Sequence, residues 1–120
     1  MGFVDVHSHV VPALDDGAQS LDEGLELCAA AVAAGTTTLF ATPHMHAPFD
    51  QYPWSDAREE LYETSFAALA PRAAELGLRL LRGREVYPTE VRVRRLDSLV
   101  LEGTTAVLLE FPGSWLDVDD

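Results

Sequence analysis

Short apolar runs alternate with longer segments of helical periodicity along most of the chain. Phe3 to His7 predicts a first strand, and the β-branched segment from Thr36 to Thr42 predicts a second. Leu78 to Val86 predicts a third strand, and Thr105 to Phe111 predicts a fourth. The resulting order, βαβαβαβ, predicts an α/β fold with a parallel sheet and right-handed crossovers. Because the strands are almost continuously apolar, we expect both faces of the sheet to be buried.

Helix boundaries are marked by capping residues. Ser20 is a predicted N-cap, Glu23 completes a capping box, and Gly35 ends the first helix. A longer helix is predicted from Ser55 to about Leu76, and a short one from Pro88 to about Leu99.

The longer helix contains a conflict, because Pro71 lies inside it. Proline cannot donate the helical hydrogen bond, so we expect a kink or a split there. Gly77 ends the helix, and its predicted buried side consists of Leu61, Phe66, Leu69 and Leu76.

Polar residues cluster where the predicted strands end. Side chains alternate between the two faces of a strand, so the imidazoles of His7 and His9 are expected to point the same way. The carboxyl ends of parallel strands open on one edge, where α/β proteins form their active sites. We therefore expect one cluster of candidate metal ligands, formed by His7, His9, Asp16, His44, Glu85 and Glu110.

Each of these residues also has a simpler interpretation. Glu85 could form a salt bridge with Arg82 or Arg84, and Glu110 could pair with an arginine instead of a metal. Asp16 could belong to an Asp-Gly turn, and His44 could be an ordinary loop histidine.

Three further residues have weaker assignments. Asp15 could belong to the same Asp-Gly turn as Asp16. Asp5 faces the same way as His7 and could orient an imidazole. His46 could contact a metal or a substrate, although a solvent-exposed loop position is the interpretation we favour.

Composition narrows the functional classes. The 120 residues suffice for one domain, and 48% of them are hydrophobic. The net charge is -12, with 20 acidic residues against 8 basic ones, which argues against binding to nucleic acid or to an anionic membrane. Cys28 is the single cysteine and is expected in the core. With no leader-like or membrane-length apolar segment in this sequence, we expect a cytoplasmic protein.

Mixed imidazole and carboxylate ligands favour manganese, iron or zinc over calcium or magnesium. Clustered ions of this kind bind phosphate oxygens and activate water for in-line displacement. Phosphate ester hydrolysis is therefore the predicted chemistry.

The ordered set of motifs resembles the PHP (polymerase and histidinol phosphatase) superfamily. The branch it resembles most is the bacterial capsular-polysaccharide type of manganese-dependent protein-tyrosine phosphatase. The matching segments are Asp5-Val6-His7-Ser8-His9, Pro12, Asp15-Asp16-Gly17, Ala41-Thr42-Pro43-His44, Gly83-Arg84-Glu85 and Leu109-Glu110-Phe111-Pro112.

This resemblance implies a distorted (βα)7 barrel with up to three ions, Mn²⁺ being favoured and iron or zinc being alternatives. By position, His7 and His9 would hold one ion, and Glu85 would bridge it to a second ion that Glu110 also binds. Asp16 and His44 would belong to the third. A water activated by the ions would attack the phosphorus of a phosphotyrosine on a protein that regulates exopolysaccharide or capsule synthesis, without a cysteine nucleophile.

The chain departs from the family pattern in its extent. Family members carry a further histidine and an Asp-x-His pair in a second half, and these motifs are absent here. Residues 1–120 are thus expected to form a single partial PHP domain, the N-terminal half of the barrel. Because an open sheet exposes an apolar edge, we expect self-association or pairing with a complementary C-terminal half.

Two alternative functions remain from the sequence. One is hydrolysis of histidinol phosphate or another small phosphomonoester. The other is a catalytically inactive fragment that binds metal or assists assembly.

Overall fold

The computed structural model describes residues 2–46, 51–92 and 94–110, except for the side chain of Arg92. Two α-helices and six short strands make up this part of the chain. Their bounds are β1 Phe3–Asp5, α1 Leu21–Ala33, β2 Thr36–Ala41, β3 His44–Met45, α2 Asp56–Glu75, β4 Arg79–Arg82, β5 Glu85–Val86 and β6 Leu108–Leu109.

The strands form two parallel sheets, with the orders β1-β2-β4 and β3-β5-β6. These sheets follow one another along the same chain path, because β2 leads into β3 and β4 leads into β5. Glu85 N–H donates to the Pro43 carbonyl at 3.0 Å, at the start of the β3–β5 ladder. The α/β class and the parallel arrangement are thus confirmed, but the predicted single sheet and the unbroken strand from Leu78 to Val86 are wrong. Closure of a barrel stays a prediction.

The side chain of Tyr62 occupies the break between the two sheets. Its hydroxyl lies 3.0 Å from the Ala41 carbonyl and 2.9 Å from the Gly83 carbonyl, and it accepts from Gly83 N–H at 3.2 Å. Tyr62 is fully buried, so these backbone groups depend on it for pairing. An inserted phenol therefore replaces ladder hydrogen bonds at this point.

Gly83 also requires the absence of a side chain at the break. A Cβ there would lie 2.5 Å from Leu101 Cδ2 and 3.1 Å from Thr42 Cγ2. Both approaches are shorter than ordinary van der Waals contact, so only glycine fits between these neighbours.

The first helix follows its predicted signals closely. Ser20 is the N-cap and its hydroxyl accepts from Glu23 N–H at 3.2 Å. The Glu23 carboxylate reaches back to Gln19 N–H at 2.7 Å, one residue before the expected donor. Gly35 follows the helix with φ of 97°, a conformation that glycine adopts without steric cost.

The second helix runs unbroken through Pro71, so the expected split does not occur. Leu69 and Ala73, on either side of the proline, are fully buried, and this packing holds the helix where one hydrogen bond is lost. The predicted buried side is only partly right, because Leu61 and Leu76 are 41% and 42% exposed. The observed stripe consists of Tyr62, Phe66, Leu69 and Ala73.

The main core lies between the two helices and the first sheet. Cys28 is fully buried in it, as expected, together with Leu39, Leu69 and Leu80. Strand β1 differs from the expected burial on both faces, because Phe3 is 69% exposed and borders only β2.

Two other predicted elements are shorter than expected. The predicted helix from Pro88 to Leu99 consists of two 3₁₀ segments, Pro88–Arg92 and Leu96–Ser98. The predicted fourth strand is reduced to Leu108–Leu109, and Phe111 lies outside the described residues. The first strand ends at Asp5 rather than at His7.

We expect Tyr62→Phe to lower the free energy of unfolding by about 1–3 kcal/mol, because it leaves buried backbone groups unpaired. Urea denaturation measures this change. Tyr87→Phe, which removes a hydroxyl from a partly exposed ring, is the control and is expected to change stability by less than about 0.5 kcal/mol. Equal effects of the two substitutions would contradict this explanation of the break.

Candidate metal centre

Ser8 fixes the direction of the two histidines beside it. Its N–H donates to Thr42 Oγ1 at 2.9 Å, and the Thr42 hydroxyl donates to the Ser8 carbonyl at 3.1 Å. The Ser8 hydroxyl donates to the Phe40 carbonyl at 2.7 Å. Because Ser8 faces β2, its neighbours His7 and His9 face the opposite side. Thr42 N–H also donates to the Ser8 carbonyl at 2.8 Å, so contact with the end of β2 continues past Asp5 through irregular backbone and side-chain bonds.

Glu85 lies against both of these imidazoles. Its Oε1 atom is 2.8 Å from His7 Nε2 and 3.0 Å from His9 Nε2. The two Nε2 atoms are themselves 3.1 Å apart. Glu85 is only 9% exposed, although its side chain is a carboxylate. The structure therefore brings together three groups that the sequence placed at the ends of two different strands.

His44 and Glu110 meet on the other side of Glu85. His44 pairs with Glu85 in the β3–β5 register, and the Glu110 N–H donates to the Val86 carbonyl at 2.8 Å. The Nδ1 atom of His44 is 3.7 Å from Glu85 Oε1 and 2.8 Å from Glu110 Oε1.

The contact between His44 and Glu110 has an unusual geometry. The two atoms are buried and 2.8 Å apart, yet within the described part of the chain neither has a hydrogen-bond partner. Buried polar atoms are normally paired, so such a contact needs an explanation. A cation shared by the two atoms would satisfy both.

Asp15 supports the cluster from behind, a role that the sequence analysis missed. Its Oδ2 atom accepts from His9 Nδ1–H at 2.8 Å and from the His44 backbone N–H at 2.9 Å. Its Oδ1 atom accepts from Gly17 N–H at 3.0 Å. Asp15 is 7% exposed. It thus holds two candidate ligands from different segments in one orientation.

Asp16 lies at the open side of the cluster. Its carboxylate is 68% exposed and its Oδ1 atom is 3.7 Å from His44 Nε2. Gly17 follows and packs closely on His9, since a Cβ at this position would lie 2.2 Å from the His9 carbonyl oxygen. The Asp-Gly turn and the candidate ligand site are therefore the same structure.

The nearby arginines are paired with other carboxylates. Arg84 binds Glu59 through two nitrogens at 2.7 and 2.5 Å. Arg82 binds Glu63 at 2.9 Å and approaches Glu102 at 3.4 Å. The salt-bridge alternative for Glu85 is thus not realised in the described residues.

Charges within the cluster shift its titration. Burial lowers the pKa of His9, but hydrogen bonds and charges from Asp15 and Glu85 outweigh it and raise the pKa to about 10. Burial raises the pKa of Asp15, but hydrogen bonds from His9 and from the backbone N–H groups of His44 and Gly17 reverse this and lower it. Burial likewise raises the pKa of Glu85, but hydrogen bonds from His9 and His7 and the nearby histidine charges lower it. Without a cation, the cluster is held together by a protonated imidazole between two carboxylates.

Three overlapping groups of side chains have the composition and spacing of metal sites. In each group the ligand atoms lie within 4.8 Å of one another. All six predicted ligands belong to at least one group, and Asp15 joins them. The groups are His7 with His9 and Glu85, then His44 with Glu85 and Glu110, and finally His9 with Asp15, Asp16 and His44. This donor set fits the metal that the sequence predicted.

Two expectations about single residues differ from the structure. Asp5 accepts from the His7 backbone N–H at 3.1 Å, and thus orients the backbone and not an imidazole. His46 is not solvent-exposed: its side chain is 22% exposed and its ring stacks on Tyr87.

A family comparison agrees with this site. The model of the family described as capsular polysaccharide synthesis, CpsB/CapC, matches residues 3–115. The chain belongs to the CpsB/CapC family. The match includes all six predicted ligands and the positioning residue Asp15.

Characterised CpsB/CapC relatives are tyrosine-protein phosphatases by name. The tyrosine-protein phosphatase YwqE of Bacillus subtilis is 30% identical over 122 residues, which covers 92% of this chain and 43% of YwqE. The tyrosine-protein phosphatase CpsB of Streptococcus agalactiae is 28% identical over 123 residues, covering 97% of this chain and 49% of CpsB. The chain thus spans less than half the length of these relatives.

A solved structure shares the fold. It comes from a study of YwqE from Bacillus subtilis and CpsB from Streptococcus pneumoniae, described as metal-dependent tyrosine phosphatases. The TM-score is 0.69 at 31% identity, over 92% of this chain and 44% of that one. The fold of the described residues is therefore that of a portion of this phosphatase.

Proposed function

We propose that this chain carries part of the active site of a metal-dependent phosphomonoesterase that hydrolyses phosphotyrosine on proteins. The observation that supports it most strongly is the position of the Glu85 carboxylate between imidazoles from two segments of the chain, His7 with His9 and then His44. Beside it, His44 Nδ1 and Glu110 Oε1 are buried without a hydrogen-bond partner among the described residues. The relatives named as tyrosine-protein phosphatases support the phosphotyrosine substrate.

The six predicted ligands divide among the proposed ions as their positions suggest. His7 and His9 would hold one ion, and Glu85 would be shared with a second that Glu110 also binds. Asp16 and His44 would contribute to a third. Mn²⁺ is favoured, with iron or zinc as alternatives, because the donors mix imidazole with carboxylate. When bound, such ions stabilise charge on phosphoryl oxygens and lower the pKa of a water.

The chain's own residues supply orientation and a polar, partly enclosed site. Asp15 fixes the ring of His9 and the backbone of His44, so less entropy is lost when a phosphoryl group binds. Cys28 is fully buried, and burial raises the pKa of its thiol to about 11. A cysteine nucleophile is therefore unsuited to this site, and water is the proposed nucleophile.

The physiological substrate follows from the family alone. A phosphotyrosine protein that regulates capsule or exopolysaccharide synthesis is the proposed substrate, in the cytoplasm, where a lone cysteine stays reduced. Histidinol phosphate or another small phosphomonoester is the alternative substrate. An inactive fragment that binds metal is the alternative outside the enzymes.

We also propose that residues 1–120 act as one partial domain that associates with a second copy or with a complementary half. Phe3 and Val4 on β1 are 69% and 61% exposed, which leaves an apolar strand edge for a partner to cover. Separately, none of the helices within the described residues could span a membrane. Light scattering at increasing protein concentration is expected to show a mass above that of one chain. A folded monomer at every concentration would rule out self-association. Association with a complementary half would then be the only part of this proposal that stands.

Replacing both His7 and His9 with alanine is expected to remove at least one bound ion per chain, because two of three ligands of one group are lost. Elemental analysis of protein equilibrated with Mn²⁺ and desalted measures this loss. His46→Ala removes a histidine outside the three groups and is the matched control, with unchanged metal content expected. Equal metal content in the double variant and the parent chain would refute the assignment.

Hydrolysis by the Mn²⁺-loaded chain is expected to be faster for a phosphotyrosyl peptide than for histidinol phosphate, and chelation should abolish it. Cys28→Ala should retain the rate, since the thiol lies in the core. Phosphate release measures each rate. Bound metal without hydrolysis of either substrate would favour the inactive fragment that binds metal. A preference for histidinol phosphate would favour hydrolysis of a small phosphomonoester.

A further inference from the structure

A second pair of rings continues the face on which the metal cluster lies. The β3–β5 ladder extends by one bond, from Tyr87 N–H to the Met45 carbonyl at 3.3 Å. Met45 and Val86 point into the core, where they are 3% and 0% exposed. Since side chains alternate along strands, Glu85 and Tyr87 lie on the face opposite to this core.

His46 and Tyr87 contact each other across the two strands on that face. Their ring centroids are 5.7 Å apart, with an angle of 16° between the planes. They follow His44 and Glu85 by two residues each, just past the ends of β3 and β5, so the ring pair borders the cluster on this side.

The ring pair is held from behind by Glu90. This residue is 8% exposed, and its Oε1 atom is 3.7 Å from His46 Nδ1. Its Oε2 atom accepts from Arg94 Nε–H at 2.5 Å, and its backbone N–H donates to the Tyr87 carbonyl at 2.9 Å. The Glu90 carboxylate is thus paired with Arg94 beside His46, and the Glu90 backbone is bound to that of Tyr87.

His46 keeps its place at a conformational cost. Its φ is 63°, in the left-handed region that residues with a Cβ seldom adopt. Non-glycine residues in this region concentrate at sites where function requires a side chain in a particular position. The backbone of His46 is therefore typical of a residue whose side chain is needed at one position, here beside the cluster.

We propose that the ring pair of His46 and Tyr87 binds the aromatic ring of an aryl phosphate whose phosphoryl group lies at the metal cluster. This proposal rests on the proposed function and adds the residues that select an aromatic substrate. Phenol rings stack favourably on aromatic side chains, whereas an alkyl phosphate lacks that contact.

Tyr52 is the competing aromatic residue. Its ring stacks on His44 at 5.4 Å with an angle of 8°, so one of its faces is covered by a candidate ligand. Tyr52 therefore borders the metal cluster directly. The ring pair of His46 and Tyr87 instead follows the cluster residues His44 and Glu85 by two positions along the chain.

The test compares phenylphosphonate with methylphosphonate, which share a head group and resist hydrolysis. Calorimetry on the Mn²⁺-loaded chain measures both affinities for the parent, Tyr87→Leu and Tyr87→Phe. We expect Tyr87→Leu to reduce the preference for the phenyl ligand about three- to tenfold, with unchanged methylphosphonate affinity and metal content. Tyr87→Phe keeps the ring and should keep the preference.

Two outcomes would overturn the ring assignment while leaving the proposed function intact. One is an unchanged preference in Tyr87→Leu when the parent hydrolyses phosphotyrosyl peptide. The other is a loss of preference in Tyr52→Leu but not in Tyr87→Leu, which would move the contact to Tyr52. A metal-loaded parent that binds neither phosphonate and releases no phosphate would overturn both proposals.

Discussion

The organisation of this molecule depends on one buried carboxylate. Glu85 contacts His7 and His9 within 3.0 Å and approaches His44 at 3.7 Å. An ionised group in such surroundings is costly unless a proton or a cation compensates it. Without a metal, a raised His9 pKa supplies that compensation; with a metal, the same lone pairs become ligands. On the proposed function, metal uptake by the cluster would displace protons.

The fold serves this cluster by interrupting its own sheet. Tyr62 takes up hydrogen bonds of β2 and β4 at the point where these strands end. The chain then resumes in β3 and β5, which set His44 opposite Glu85. A continuous ladder would leave no place for the phenol. One hydroxyl group thus both anchors the second helix to the strands and sets where β3 and β5 begin. The loop before the first helix adds Asp15, which orients two of the candidate ligands.

The sequence predicted which side chains come together in the cluster better than it predicted the bounds of the strands that hold them. Alternation along an extended segment places His7 and His9 on one face whether or not regular pairing continues, so this inference survived the early end of β1. The break in the strands could not be foreseen, because it depends on Tyr62 arriving from a distant helix. Regular helical spacing from Tyr62 to Ala73 does mark the buried stripe. The role of Asp15 follows from a tertiary contact with His44, which no local pattern reveals.

The most direct test of the metal cluster is anomalous X-ray diffraction at the manganese edge, from crystals of the chain grown with Mn²⁺. Besides a peak at Asp16 and His44, we expect one peak in contact with His7, His9 and Glu85 and a second in contact with Glu85 and Glu110. In such crystals Glu85 should be bound to ions in place of the protonated His9 imidazole. Manganese absent from both positions, with the carboxylate still hydrogen-bonded to His7 and His9, would contradict the account.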